Sequence, residues 1–288
     1  MAHAGIRPPV LQWSVYGHVW LALGVAAQVA WTGRFVREVE GLPMLVAASA
    51  LGTFAAYGAM RWARAREAGS ADQPHLAWVA AHQRVLVPLW VSAVLAALGC
   101  LWPFRHATLL WGGAIAAVAG LYVLPLRTRG GSAPGLRRIP LLKALLIAGA
   151  AALTTVALPM QLAPDAPAAS DVLLYVCMRI PFFLAIAIAF DVRDVTLDPP
   201  ELHTFPQVIG APGARVLAVL LALLAAGFDH VFLRNLGYAE AAWTVLVGHA
   251  VTVLLVAFAS PRRGPLYFGV LLDGMLAFVP LCGWLGTL

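Results

Sequence analysis

Long apolar runs separated by short polar connections make up almost the whole chain. A helix needs about 20 apolar residues to cross a bilayer, and runs of that kind can be placed nine times along the sequence. Glycine and proline mark the connections, as at Gly41-Leu42-Pro43 and Pro199-Pro200. The pattern predicts nine transmembrane helices at 12–32, 42–61, 84–103, 107–126, 141–161, 170–190, 214–233, 239–259 and 266–286.

The composition agrees with a chain that lies in a membrane. Hydrophobic residues make up 61% of the 288 residues and charged residues only 11%, whereas a soluble protein has about 25% charged residues. No soluble domain fits between the predicted helices, so we expect one all-α polytopic membrane domain over residues 1–288. The net charge of +6 does not suggest a nucleic-acid partner, because the cations lie in short loops where they meet lipid headgroups.

The distribution of those cations predicts an orientation. The connections on the side of the N-terminus hold most of them, including Arg61, Arg64, Arg137 and Arg138. Positive loops stay in the cytoplasm, so we expect a cytoplasmic N-terminus and, after nine spans, an external C-terminus. The polar segment from Arg61 to Gln83 contains two tryptophans and is typical of a short helix at the membrane surface.

Three carboxylates close together at the end of the sixth predicted span are the main chemical signal. Asp191, Asp194 and Asp198 occupy positions i, i+3 and i+7, so a helix would present them on one face. Their mutual repulsion is costly unless a cation lies among them. Oxygen ligands of this kind suit Mg²⁺, which proteins hold with one or two carboxylates together with substrate phosphates. The pattern therefore indicates a magnesium–diphosphate site, and the alternative is a solvated helix end whose acids pair with Arg193 and the basic loops.

Other polar residues are candidates for the same site or for internal pairs. Arg138 and Lys143 stand at the start of the fifth predicted span, where cations can reach a shared cavity and bind phosphate. Arg179, Asp229 and Asp273 fall inside predicted spans, where charges are functional or paired. An Arg179–Asp273 pair is one possibility. His18 and His249 are expected to be core residues whose hydrogen bonds are satisfied.

The motif and its position resemble the UbiA superfamily of intramembrane prenyltransferases. That family has nine transmembrane helices and an aspartate motif D-x-x-D-x-x-x-D after the sixth, which the segment 191–198 matches in spacing and position. Thr204-Phe205-Pro206 followed by Gly210 is similar to the T-x-P…G that comes next in the family. Tyr122 and Pro125, followed by Arg138 and Lys143, are similar to the family's Y-x-x-P and basic segment.

One part of the family pattern is missing. The family's first aspartate motif belongs at the end of the second helix, where this chain has Tyr57-Gly58-Ala59-Met60-Arg61. Tyr57 and Arg61 become the candidates for the function of that site, and Arg61 can replace a metal ion as a counter-charge to a diphosphate. The basic residue that often precedes the T-x-P is also replaced, by Leu202-His203.

The resemblance implies a transfer reaction at the membrane. We expect an isoprenoid group to move from a prenyl diphosphate to a hydrophobic acceptor, either aromatic or a small alcohol. Mg²⁺ on Asp191, Asp194 and Asp198 would neutralise the diphosphate, and Arg138 and Lys143 would assist. Tyr57, Arg61, Tyr122 and Arg193 would bind the substrate.

Two other functions remain open from the sequence. The chain could keep the UbiA-like fold without transfer activity and bind isoprenoid lipid or assist assembly, which the missing first motif favours. A secondary transporter would require internal repeats with broken helices, and the two halves of the chain show no convincing similarity.

Overall fold

The fold is described from a computed structural model of the chain. It describes residues 8–35, 39, 41–66, 73–123, 127–128, 131–132, 141–163, 165, 167–198 and 200–288, of which 107, 119–123, 127–128, 131–132 and 201 are described by their backbone alone.

The described part of the chain is almost entirely helical. The helices are α1 (Pro9–Val15), α2 (Val19–Phe35), α3 (Leu42–Arg64), α4 (Pro74–Leu101), α5 (Arg105–Val123), α6 (Leu142–Ala152), α7 (Leu158–Gln161), α8 (Ala169–Asp194), α9 (Phe205–Asn235), α10 (Ala239–Ala257) and α11 (Asp273–Leu285). Short 3₁₀ turns occur at Trp102–Phe104 and Pro200–Leu202, and π-helical segments occur at Leu153–Ala157 and Tyr267–Leu272. The two-residue strands β1 (Arg127–Thr128) and β2 (Gly131–Ser132) pair antiparallel.

The all-α membrane fold predicted from the sequence is confirmed, but the count of nine helices is not. Seven helices among the described residues are long and apolar enough to cross a bilayer, and α1 with α2 forms an eighth candidate that bends by 51°. The fourth predicted span, 107–126, corresponds to α5 (Arg105–Val123), whose stretch Thr108–Val118 is apolar. The span at 107–126, and with it the count of nine, stays a prediction, as does the sidedness of the two termini.

Apolar side chains cover the outside of the bundle, and several polar ones lie inside it. On α4 the exposed residues include Val85, Leu89, Val94 and Leu98. Gln28, Arg179, Asp229 and His249 are buried instead. This distribution is expected of a protein whose surrounding solvent is hydrocarbon, because internal partners must satisfy its polar groups.

Helix α8 lies in the middle of the bundle. Residues 181–189 of α8 are buried without interruption. Helices α6 and α9 pack against α8, and a chain of neighbours runs from α9 through α10, α11 and α2 to α3 and α4. Gly283 allows α11 to approach α2 closely, because an added Cβ atom there would lie 1.7 Å from the Trp31 ring. The C-terminal end of α8 lines one cavity together with residues of α3, α6 and α11.

Three local predictions need correction. The third span begins at Pro74, ten residues before the predicted start at 84, so part of the predicted surface helix belongs to α4. The seventh begins at Phe205 and has a kink at Gly210, whose φ of 73° is accessible to glycine without strain. Arg179 pairs with Asp229 and not with Asp273: its Nη1 lies 3.3 Å from Asp229 Oδ2.

Candidate functional site

A cavity of about 200 Å³ lies between the α1–α2 connection, α3, α6, α8 and α11. One part of its wall is charged and includes Arg61, Arg64, Lys143, Asp191, Arg193, Asp194 and Asp273. The other part is apolar and includes Leu21, Val25, Ile147, Ala151, Phe183 and Ile186. Such a wall suits a ligand that has an anionic head and a hydrocarbon tail.

Lys143 joins two of the predicted aspartates. Its ammonium lies 2.8 Å from Asp191 Oδ1 and 2.8 Å from Asp198 Oδ2. Lys143 is the second residue of α6, which begins after a turn in which the Leu141 N–H donates to the His203 carbonyl. The three side chains are largely buried, with exposed fractions of 13% for Lys143, 5% for Asp191 and 1% for Asp198. This contact therefore links the start of α6 to the end of α8.

Asp194 is paired with its neighbour in sequence. Arg193 donates from Nε to Asp194 Oδ1 at 2.6 Å and from Nη2 to Oδ2 at 2.8 Å. The same guanidinium lies 4.8 Å from the centre of the Phe190 ring and 5.3 Å from that of Phe268. Two charge-assisted hydrogen bonds and two aromatic faces hold the Arg193 fork in place. Its Nη1 takes no part in the pair with Asp194.

The segment after the aspartates supports the backbone of Asp198. Gln207 donates from Nε2 to the Asp198 carbonyl at 3.0 Å, and its Oε1 accepts from the Thr204 N–H at 2.9 Å. Gln207 lies in the first turn of α9, so these bonds fasten α9 to the turn that carries Asp198. The T-x-P segment of the sequence thus has a structural role in positioning the aspartate motif.

Cations replace acids on the α3 side of the cavity. Tyr57, Arg61 and Arg64 lie on the last two turns of α3 and line the cavity. Arg64 Nη2 is 3.8 Å from Asp198 Oδ1. The Arg61 guanidinium has no hydrogen bond or ion pair with any side chain that the structure describes, although the charges of Arg193, Asp194 and Asp273 act on it. The position of the family's first aspartate motif is therefore electropositive in this chain.

Sequence reasoning did not assign His18, His75 or Asp273 to the site, although all three line the cavity. His18 and His75 each have a buried Nε2 without a hydrogen-bond partner in the described part of the protein. His18, expected to be fully satisfied, also adopts a left-handed backbone conformation with φ 61°, which is uncommon outside glycine. That conformation is not visible in sequence periodicity.

Asp273 directly follows the π-helical segment Tyr267–Leu272. Extra residues in a π segment change the direction of the side chains that follow, and such segments are frequent at functional sites. Asp273 lines the cavity and has no hydrogen bond or ion pair with another described residue. Its location inside a predicted span was the one signal that could have pointed to it.

The structure brings most of the predicted site residues to one place. Asp191, Asp194, Lys143, Tyr57, Arg61 and Arg193 all line the cavity, and Asp198 contacts it through Lys143. Arg138 and the side chain of Tyr122 lie outside the described residues. The roles given to these residues remain predictions, because proximity alone does not test them.

The predicted three-aspartate magnesium site does not fit this arrangement. The described residues contain no group of three carboxylate, imidazole or thiolate side chains placed to hold a metal ion. Asp191 and Asp198 share the Lys143 ammonium, and Asp194 is occupied by Arg193. A divalent ion at Asp191 and Asp198 would have to displace the Lys143 ammonium. The buried Oδ1 of Asp198 has no hydrogen-bond partner among the described residues. The use of Mg²⁺ by the protein is a separate question and stays a prediction.

Comparison with known proteins identifies the fold. No family model and no curated protein sequence matches this chain. Its structure matches the apo structure of a UbiA homolog from Aeropyrum pernix K1, with a TM-score of 0.64 over 94% of this chain and 96% of that one, at 17% sequence identity. A match at this identity shows the fold alone. The resemblance predicted from the sequence is thus confirmed at the level of structure: this is a multi-pass membrane chain with a UbiA-like fold.

Proposed function

We propose that the chain is a UbiA-like integral membrane prenyltransferase. It would move an isoprenoid group from a prenyl diphosphate to an aromatic or small-alcohol acceptor. The observation that carries the proposal is the cavity itself, in which the cations Lys143, Arg193, Arg61 and Arg64 stand beside an apolar wall within one membrane bundle. A prenyl diphosphate has the same division between an anionic head and a hydrocarbon chain.

The charged part of the cavity supports departure of the diphosphate. The bond between prenyl C1 and the bridging oxygen breaks, and its electron pair leaves with the diphosphate. Arginine and lysine donors stabilise the developing negative charge, since preorganised cations do so without further reorganisation. Arg193 is held by Asp194 and Lys143 by Asp191 and Asp198, so both cations are positioned before the substrate arrives.

The apolar part of the cavity supports the second half of the reaction. Side chains such as Val25, Ile147 and Phe183 keep water from the allylic cation until the acceptor attacks it. The acceptor forms a bond to prenyl C1 and releases a proton. Asp273 suits the role of proton acceptor, because it lines the cavity without an ion pair among the described residues.

No step of the proposed mechanism is assigned to a metal ion. Mg²⁺ remains the sequence-based prediction, and by the family resemblance it would neutralise the diphosphate. The chain's own cations and Asp273 act on the substrate in the proposed reaction.

A binding and release assay tests the proposal. The full chain is purified in detergent or nanodiscs and incubated with radiolabelled farnesyl or geranylgeranyl diphosphate, with and without a panel of phenols and alcohols. We expect the prenyl diphosphates to raise the melting temperature, as any native-state ligand must, and at least one acceptor class to accelerate diphosphate release. A chain that binds neither prenyl diphosphate with or without Mg²⁺ would contradict the proposal.

A second candidate function is a UbiA-like protein that binds isoprenoid lipid without transfer. Arg61 favours it, because this residue stands at the place of the family's first aspartate motif. The same assay separates the two functions. Binding of the prenyl diphosphate without diphosphate release for any acceptor in the panel supports the second one.

A further inference from the structure

The carboxylates of the aspartate motif serve this chain as anchors for cations. Lys143 Nζ lies at hydrogen-bond distance from both Asp191 and Asp198, and these side chains are largely removed from solvent. The ammonium is a counter-charge to both carboxylates, although the buried Asp198 Oδ1 accepts no hydrogen bond from a described residue. Removal of the ammonium would leave Asp191 without an ion-pair partner among the described residues and Asp198 with Arg64 alone. The place where a divalent ion would bridge two motif aspartates is therefore taken by a residue of the protein.

On the opposite wall of the cavity, protein cations again stand where a divalent ion would bind. Arg61 and Arg64 line it from α3, and Arg64 faces Asp198 at 3.8 Å. A divalent ion between α3 and α8 would meet two guanidinium groups on one side, and like charges at such short range repel strongly outside bulk water. A diphosphate in the same place would meet donors with the geometry and charge that phosphate recognition requires.

The cationic donors also differ in how many of their N–H groups are already hydrogen-bonded to aspartates. The Arg193 fork uses Nε and Nη2 for Asp194, which leaves Nη1 outside that pair. Arg61 makes no side-chain hydrogen bond to the described residues, yet it lines the cavity. Two donors of fixed charge are thus available to an anion while the aspartates hold the remaining cations in position.

We propose that Lys143, Arg193, Arg61 and Arg64 bind the diphosphate of the donor directly, and that this binding does not require a divalent cation. Asp191, Asp194 and Asp198 are then positioning residues for the cations. The inference rests on the proposed function for the identity of the ligand. It concerns how that ligand is held.

Donor affinity measured with and without metal tests the inference. The probe is geranylgeranyl diphosphate, titrated calorimetrically into the full chain in nanodiscs with either excess EDTA or excess MgCl₂. We expect the two dissociation constants to agree within about threefold, because the counter-charges belong to the protein. Inorganic diphosphate should compete for the site in both conditions. Geranylgeraniol, which lacks the anionic head, should compete much less.

Variants separate the role of the cations from that of a metal. Arg61→Met and Lys143→Met should weaken donor binding by about tenfold or more in EDTA and in Mg²⁺ alike, since each removes a charge-assisted contact. Lys143→Arg should recover part of the affinity. Arg84→Met is the matched control, because Arg84 is an exposed cation on α4 outside the cavity. The melting temperature of every variant is measured to confirm that it is folded.

The outcomes distinguish this inference from the proposed function. Binding of the donor in EDTA, weakened in Arg61→Met, supports direct recognition. Binding that appears only with Mg²⁺ overturns the inference and leaves the proposed function standing. If geranylgeranyl diphosphate binds in neither condition, both fail.

Discussion

The molecule places an arginine beside an aspartate in two regions of its interior, with different surroundings. In one, Arg179 Nη1 lies 3.3 Å from Asp229 Oδ2 and 3.3 Å from Gln28 Oε1, and His249 Nε2 lies 2.9 Å from the same Asp229 oxygen. In the other, the Arg193–Asp194 pair lies on the wall of a cavity beside Arg61 and Asp273. The residues of the first region do not line that cavity.

The difference shows what distinguishes a structural ion pair from a candidate site. Both regions contain charges that are costly in an apolar protein, and in both the main charges are compensated. The first network connects α2, α8, α9 and α10 through mutual hydrogen bonds, and its residues do not line the cavity. The cavity combines paired charges with Arg61 and Asp273, which have no ion pair among the described side chains. Access and uncommitted charge, and not burial alone, indicate where chemistry takes place.

The largest expected effect comes from breaking the internal network. Arg179→Met leaves Asp229 with the His249 imidazole as its one remaining partner among the described side chains, so we expect the free energy of unfolding to fall by about 3–5 kcal/mol. Denaturant unfolding in detergent micelles measures it. The double variant Arg179→Met/Asp229→Leu should recover much of that loss, because it removes both charges. A single variant as stable as the parent would show that the network does not stabilise the bundle.

Asp273→Asn should impair the reaction without lowering the stability of the protein. We expect acceptor-dependent diphosphate release to slow by about 100-fold, which is typical for loss of a proton acceptor. The melting temperature should stay the same or rise, because the replaced carboxylate has no ion pair to lose among the described residues. Quantification of released diphosphate and thermal unfolding provide the two readouts. Unchanged release would remove Asp273 from the proposed mechanism, and unchanged donor affinity is the control.

Gln207→Ala tests the support of the aspartate motif. The substitution removes the hydrogen bonds to the Asp198 carbonyl and the Thr204 N–H, each of which contributes about 1 kcal/mol. We expect a moderate loss of stability and a severalfold weaker binding of geranylgeranyl diphosphate, because Asp198 positions Lys143. If stability falls and affinity does not, the T-x-P segment supports the fold without influencing the site.

The smallest effect is expected at an exposed cation. Arg84→Met should change the free energy of unfolding by less than about 0.5 kcal/mol, as most surface substitutions do. Donor affinity should remain that of the parent, since Arg84 does not line the cavity. Titration calorimetry measures the donor affinity. A marked loss of affinity in this variant would mean that cations outside the cavity also contribute to donor binding and that the cavity does not bind the donor specifically.

Much of the fold was predictable because membrane helices are defined by local composition. Apolar length identified most of the spans, and the resemblance carried by the segment 191–198 predicted the fold that the structural match confirms. The errors occurred where local composition is ambiguous. Pro74–Gln83 belongs to the segment predicted as a helix at the membrane surface, yet it continues into α4. Helix α9 starts at Phe205, before the apolar run from which its span was predicted.

The candidate site was predictable in its residue types but not in its pairing. Charge and spacing indicate Asp191 and Lys143, and the family resemblance indicates Arg61; the structure places all three on the cavity. The motif spacing indicated a metal among the aspartates, whereas the structure places the Lys143 ammonium there. Lys143 and Asp198 are separated by 55 residues, so no local pattern predicts their contact.

By itself the sequence determined the membrane environment, the helical class and the position of the charged residues along the chain, because all three depend on local composition and on the cost of placing polar groups in hydrocarbon. Only the tertiary structure decided which charges compensate each other. In the folded protein Asp229 pairs with Arg179, and Asp198 pairs with Lys143. Arg61 and Asp273 line the cavity and form no ion pair with a described side chain. Pairing depends on distances of a few ångströms between helices that are far apart in sequence, and those distances are set by the packing of the whole bundle.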